Sequence, residues 1–140
     1  HTEATKAANG EERNEIVALP LPGDAVPAET AGRVLVTGAD FYAYPRLSAD
    51  GGTLAFLSWD HPAMPWDRTR LHTAALDPGL TGAPLEVATL LDDPRVALLE
   101  PWFAADGTLH VIGDTGGWWT PSRWDGTALQ PLSTLEREFG

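Results

Sequence analysis

Cysteine is absent from the 140 residues, which removes disulfide frameworks and thiolate chemistry from consideration. That absence fits a reducing compartment, and a cytoplasmic location is expected. Basic residues are scarce, nine Lys and Arg against twenty Asp and Glu, for a formal net charge of −11 at pH 7. The nine are scattered, so no basic stripe exists to neutralise phosphates, and nucleic acid is not expected as a partner. No stretch approaches the ~18 apolar residues of a membrane span, and no signal-peptide core is visible, so no membrane partner is expected either. His61, His72 and His110 lack metal-ligand spacing, and no paired acidic calcium loop accompanies them; no metal and no cofactor are expected. The sequence has no Gly-x-Ser-x-Gly elbow. Ser48, Ser58, Ser122 and Ser133 fall in turn or strand settings instead, so no catalytic residue is expected in this chain.

What is present favours strands. Hydrophobic residues make up 43% of the chain, enough for a core, while 14 Gly and 12 Pro suit many short strands joined by turns. The stretch from Phe41 to Leu76 organises the rest. Tyr44-Pro45-Arg46-Leu47 runs into the turn Ser48-Ala49-Asp50-Gly51-Gly52, followed by a β-rich run from Thr53 to Trp59. A loop crowded with Pro and Trp comes next, then another strand. The same order returns from Pro101 through Asp106-Gly107, and the two Pro-to-Asp-Gly units lie 56 residues apart. Self-similarity at this period indicates four-stranded repeating units, the blades of a β-propeller.

The expected fold is therefore all-β, a propeller fragment of antiparallel blades. About two complete blades and the outer strands of a third are expected. Residues 1–14 read as a flexible arm. Residues 15–38 hold two strands, Glu15 to Leu21 and Arg33 to Thr37, as the outer pair of a partial blade whose inner pair would lie upstream. The first complete blade spans 44–91 and the second 99–132, with 133–140 leading into a further blade. The run Leu85 to Leu91 has a helical alternative, but its β-branched residues and flanking Pro84 and Pro94 favour an outer strand. On the strand from Thr53 to Trp59, Leu54, Phe56 and Ser58 share one face and Ala55, Leu57 and Trp59 the other. A blade packed between neighbours needs both faces apolar. Trp59, Trp102 and Trp124 are expected to pack between blades. Two and a half blades do not close a ring, so the chain reads as a piece of a longer polypeptide that supplies the rest.

Several residues carry a resemblance to a known family. Asp40-Phe41-Tyr42, Pro45-Arg46-Leu47-Ser48, Leu54-Ala55 and the run from Trp59-Asp60-His61-Pro62 to Met64-Pro65-Trp66-Asp67 resemble the propeller of prolyl oligopeptidase-family serine peptidases. The closest branch is the acylaminoacyl-peptidase or dipeptidyl-aminopeptidase-like enzymes. Asp114, Gly117-Trp118-Trp119 and Glu138-Phe139-Gly140 fit the next part of the same pattern. The chain departs from it at Thr120 to Arg123, where the family has Asn-Leu-Tyr, and at Val96 to Leu99, where it often has Glu-Ser. The resemblance implies a propeller that caps a separate α/β-hydrolase domain carrying a Ser-Asp-His triad and selects short peptide or aminoacyl substrates. The partners it implies are that domain, the remaining blades and the substrate; self-association is left open. A non-catalytic binding propeller similar to the TolB type is the competing reading.

Blade geometry sorts the loops. Those at 38–44, 60–69, 92–99 and 114–118 emerge on one face, which by the resemblance looks toward the catalytic domain. Asp60, His61, Trp66 and Asp67 are candidates to line a substrate cavity there, the carboxylates holding an ammonium group and Trp66 stacking on it. A rigid loop fixed by two prolines, with Asp60 capping a turn, would account for the same residues. The resemblance further makes Asp92, Asp93 and Glu100 candidates to receive a free N-terminus. Arg46, on an inner strand, would reach the central channel or an ion pair.

Overall fold

In the computed structural model, residues 2–6, 12–19, 32–77 and 85–135 are described, and every regular element among them is a β-strand. The strands are β1 (Thr2–Lys6), β2 (Glu12–Ala18), β3 (Arg33–Val36), β4 (Phe41–Leu47), β5 (Thr53–Trp59), β6 (Arg70–Ala75), β7 (Val87–Leu91), β8 (Leu98–Phe103), β9 (Leu109–Gly113), β10 (Thr120–Trp124) and β11 (Leu129–Pro131). They form three antiparallel sheets, in the orders β1-β2-β3, β4-β5-β6-β7 and β8-β9-β10-β11. Two sheets are complete four-stranded meanders, as the repeat demands. Within the stretch 85–91 the strand β7 runs Val87–Leu91, with no helical turn.

The first sheet differs from expectation. It has three strands, because Thr2–Lys6 pairs with Glu12–Ala18 from Thr2↔Ile16 to Lys6↔Glu12. Part of the segment read as a flexible arm is thus a ladder strand. Polar, small-residue composition hid it, since backbone pairing needs no apolar side chain. The end of the strand expected from Glu15 to Leu21 and the closing Glu138-Phe139-Gly140 lie outside the described residues.

Hairpins at one end of the blades share one device. Asp50, Asp106 and Asp125 accept the backbone N–H two residues ahead, from Gly52 (3.0 Å), Thr108 (2.9 Å) and Thr127 (2.9 Å). The glycine between them takes a left-handed φ, +71° at Gly51 and +84° at Gly107, a region that a β-carbon disfavours.

Strand β5 is the hub of the packing. Leu54 and Phe56 meet Ile16, Leu35 and Val36 of the first sheet. Ala55 and Leu57 turn the other way, joining Leu71 against Val96, Leu98, Leu109 and Val111 of the third. Side chains alternate across a strand, so one strand closes two inter-sheet cores. Trp124 packs against the second of these cores, whereas Trp59 stacks on Phe41 (centroids 5.4 Å apart) and Trp102 on His110 (5.1 Å). Both of the latter pairings are within a sheet.

The repeat extends to backbone irregularities. The inner strands β4 and β8 each carry a bulge, and in each a residue before proline has positive φ, Tyr44 at +54° and Glu100 at +45°.

Candidate functional site

Loops between β5 and β6, between β7 and β8, and before β4 converge on one face, opposite the Asp-Gly hairpins. Asp60 directly follows β5. Its Oδ1 accepts the Asp40 N–H (2.8 Å) and its Oδ2 the Arg70 guanidinium (2.5 Å), while Asp40 Oδ2 accepts the His61 N–H (2.9 Å). Burial pushes the Asp60 carboxyl up, but the Asp40 N–H and the Arg70 charge outweigh it, holding the group below its ordinary range. Asp114, directly after β9, does the same in the next blade. Its Oδ1 accepts the Ala97 N–H (2.8 Å) just before β8. Strands one and two of each blade are thereby tied at the end away from their hairpin.

Beside this tie lies a groove of about 530 Å³ lined by Ser58, Trp59, Asp60, His61, Pro62, Ala63, Asp67, Arg68, Arg70 and Pro94. The His61 ring stands edge-on to Phe41 (4.9 Å, 85°). Asp67 Oδ2 accepts the Met64 N–H (3.0 Å), closing its own turn. Arg68 pairs with Asp92. Arg95 holds Asp93 through Nε (3.1 Å) and Nη2 (2.9 Å), and these bonds lower the Asp93 pKa and raise that of Arg95.

The candidates therefore divide. Asp60, His61 and Asp67 share the groove. Trp66 stands outside its lining with 62% of its surface exposed. The carboxylates of Asp60, Asp67, Asp92 and Asp93 all accept hydrogen bonds from this chain's own groups. Glu100 differs from these four: it is exposed, in a left-handed backbone conformation on an inner strand, and its carboxylate makes no hydrogen bond or ion pair with the described residues. Two carboxylates and two guanidinium groups balance in the groove lining, so a charged ligand finds no net opposite charge there.

No protein-family model and no curated protein matches this sequence. Solved structures do. The crystal structure of puromycin hydrolase aligns with 37% identity and a TM-score of 0.79 over 91% of this chain. An alanine mutant of puromycin hydrolase complexed with PGG gives 38% and 0.79, again over 91%. A Mycobacterium tuberculosis puromycin-hydrolyzing peptidase gives 40% and 0.77 over 91%. This all-β chain matches the propeller part of a prolyl oligopeptidase-like protein. It spans 20% of the length of each of these relatives.

Within such a propeller segment, sequence reasoning missed the residues that build the face. Asp40 and Arg70 hold Asp60, and Thr69 reaches across to the next blade. Thr69 is 1% exposed; its N–H donates to the Val96 carbonyl (3.2 Å) and its Oγ1 accepts the Leu98 N–H (2.7 Å). A legible signal existed for one of these ties: an Asp directly after strand two in both repeats, Asp60 and Asp114. Thr69 carried none, since an inter-blade bond has no fixed sequence spacing.

Proposed function

We propose that this segment belongs to a serine peptidase of the prolyl oligopeptidase family, in which it caps the hydrolase active site and admits short peptides or aminoacyl amides. The observation that carries this reading is 37–40% identity with puromycin-hydrolysing enzymes across 91% of the chain. The nucleophile belongs to another part of the protein. The loop face bearing the groove is turned toward that hydrolase domain, and the substrate passes between them.

Within this scheme Glu100 receives the substrate's free N-terminal ammonium. Its carboxylate has no counter-ion among the described residues, and inner strands line the axis of a propeller. Asp60, Asp67, Asp92 and Asp93 shape the surrounding loops, their oxygens already committed to backbone and guanidinium partners.

Two measurements on the intact protein test this. A fluorophosphonate probe is expected to form one covalent adduct and to abolish cleavage of aminoacyl anilides; absence of an adduct would favour a non-catalytic propeller. Glu100→Gln is expected to raise KM for a free-amine substrate and leave its N-acetyl counterpart unaffected. Equal KM changes for both substrates would remove Glu100 from the site.

A further inference from the structure

Glu100 sits at φ +45°, a left-handed conformation that a β-carbon disfavours. Such a conformation persists only where its surroundings hold it, and the residues around it identify what does so. On one side Pro101 is fully buried. On the other, residues 96–98 are gripped from two directions. Asp114 of the same blade accepts the Ala97 N–H (2.8 Å) and donates its own N–H to the Ala97 carbonyl (3.2 Å). Thr69 of the preceding blade accepts the Leu98 N–H (2.7 Å), with its hydroxyl 3.4 Å from the Leu98 carbonyl, and donates its N–H to Val96 (3.2 Å). The bulge that lifts Glu100 out of the ladder begins directly beyond, between Leu99 and Trp102.

Thr69 also closes the groove loop, since it lies between Arg68 in the lining and the start of β6. It is thus the point where the groove of one blade is bonded to the inner strand of the next. At the corresponding junction between the first two sheets, Asn14 Nδ2 donates to the Asp40 carbonyl (2.5 Å). There the positive-φ residue is Tyr44, which packs into the core.

We propose that Thr69 is a positioning residue for Glu100, its side-chain hydroxyl fixing the start of β8 so that the Glu100 carboxylate is presented to the substrate ammonium. This rests on the reading of Glu100 given above. The test is steady-state kinetics of the intact peptidase on an aminoacyl anilide with a free N-terminus and on its N-acetyl counterpart. Thr69→Val removes the acceptor for Leu98. The expected result is a KM raised about fivefold for the free-amine substrate, the scale of one lost hydrogen bond, with kcat and the acetylated substrate unchanged. Thr69→Ser, which keeps the hydroxyl, restores the wild-type KM. Should Thr69→Val fail to fold, Thr69→Ala removes the same acceptor with a smaller side chain and carries the same expectation. An unchanged ratio of the two KM values in Val or Ala, while Glu100→Gln shifts it, overturns the role of Thr69. A ratio unmoved by Glu100→Gln itself overturns the underlying reading of Glu100, and Thr69 falls with it. Loss of active enzyme equally on both substrates marks Thr69 as structural only and also overturns the proposal.

Discussion

Acidification should destabilise the second sheet through one buried imidazole. His72 on β6 is 7% exposed, stacked on Phe56 with centroids 4.9 Å apart. Its Nε2 lies 2.8 Å from Ser58 Oγ and its Nδ1 3.1 Å from Thr89 Oγ1. Both ring nitrogens are thus satisfied by hydroxyls while the ring is neutral. Burial, with Arg70 adding a like charge and Asp92 and Asp60 opposing only partly, lowers the pKa from 6.5 to about 4.

The folded pKa lies below the unfolded one, so the unfolded chain takes up the proton first. The stabilisation is therefore complete above pH 6.5 and is lost as pH falls toward 4. At 1.36 kcal/mol per unit, the loss relative to pH 7 is about 2 kcal/mol at pH 5 and about 3 kcal/mol at pH 4. Urea denaturation at pH 7, 5 and 4 measures it, comparing wild type with His72→Gln, an uncharged side chain that still bonds to hydroxyls. The wild type should lose that much more stability than the variant across the range. Ring resonances of a histidine-labelled sample should show one imidazole titrating near pH 4. Parallel pH–stability curves, or every histidine titrating near 6.5, would refute the reasoning.

Leu57→Ala, at a fully buried position shared by two sheets, is expected to cost about 2–5 kcal/mol by denaturation, against less than about 0.5 kcal/mol for Leu47→Ala at 59% exposure. Gly107→Ala, forced to φ +84° with open space around the new β-carbon, should lower stability by about 1–2 kcal/mol through backbone strain alone. Asp114→Ala leaves the Ala97 N–H without its side-chain acceptor and should destabilise by about 1–3 kcal/mol, a loss that Asp114→Asn largely restores. Calorimetric Tm shifts of the intact protein rank the set.

Much of the fold was legible because its signals are local. The Asp-Gly turns, the apolar pattern of Thr53 to Trp59 and the 56-residue repeat each follow from a few neighbouring residues. The alternation of Leu54 and Phe56 against Ala55 and Leu57 even foretold which faces would meet different sheets. Strand β1 escaped because Thr2–Lys6 earns its place through backbone pairing, for which composition leaves little trace. The candidate face was legible as a set of loops and illegible as a set of bonds. Nothing local relates Thr69 to Leu98, or Arg68 to Asp92.

The acidic composition is the clearest case of one signal with two sources. Asp50, Asp106 and Asp125 hold hairpins, and their carboxyls titrate below the ordinary value because turn hydroxyls and N–H groups bind the charged form, Asp125 at about 2. Asp60 and Asp114 tie strand ends, and Asp67 and Asp93 close loops. These seven carboxylates satisfy backbone donors that would otherwise stand open at turns. A count of acids therefore measures how many tight turns the blades contain, and says little about cations or amines. Glu100 is among the acids that the turns do not use. Glu100 supports no hairpin and caps no loop, yet it occupies a backbone geometry that costs free energy to maintain. Glycine would hold that φ at lower cost, and the carboxylate found there instead is the ground on which Glu100 is proposed to meet the substrate.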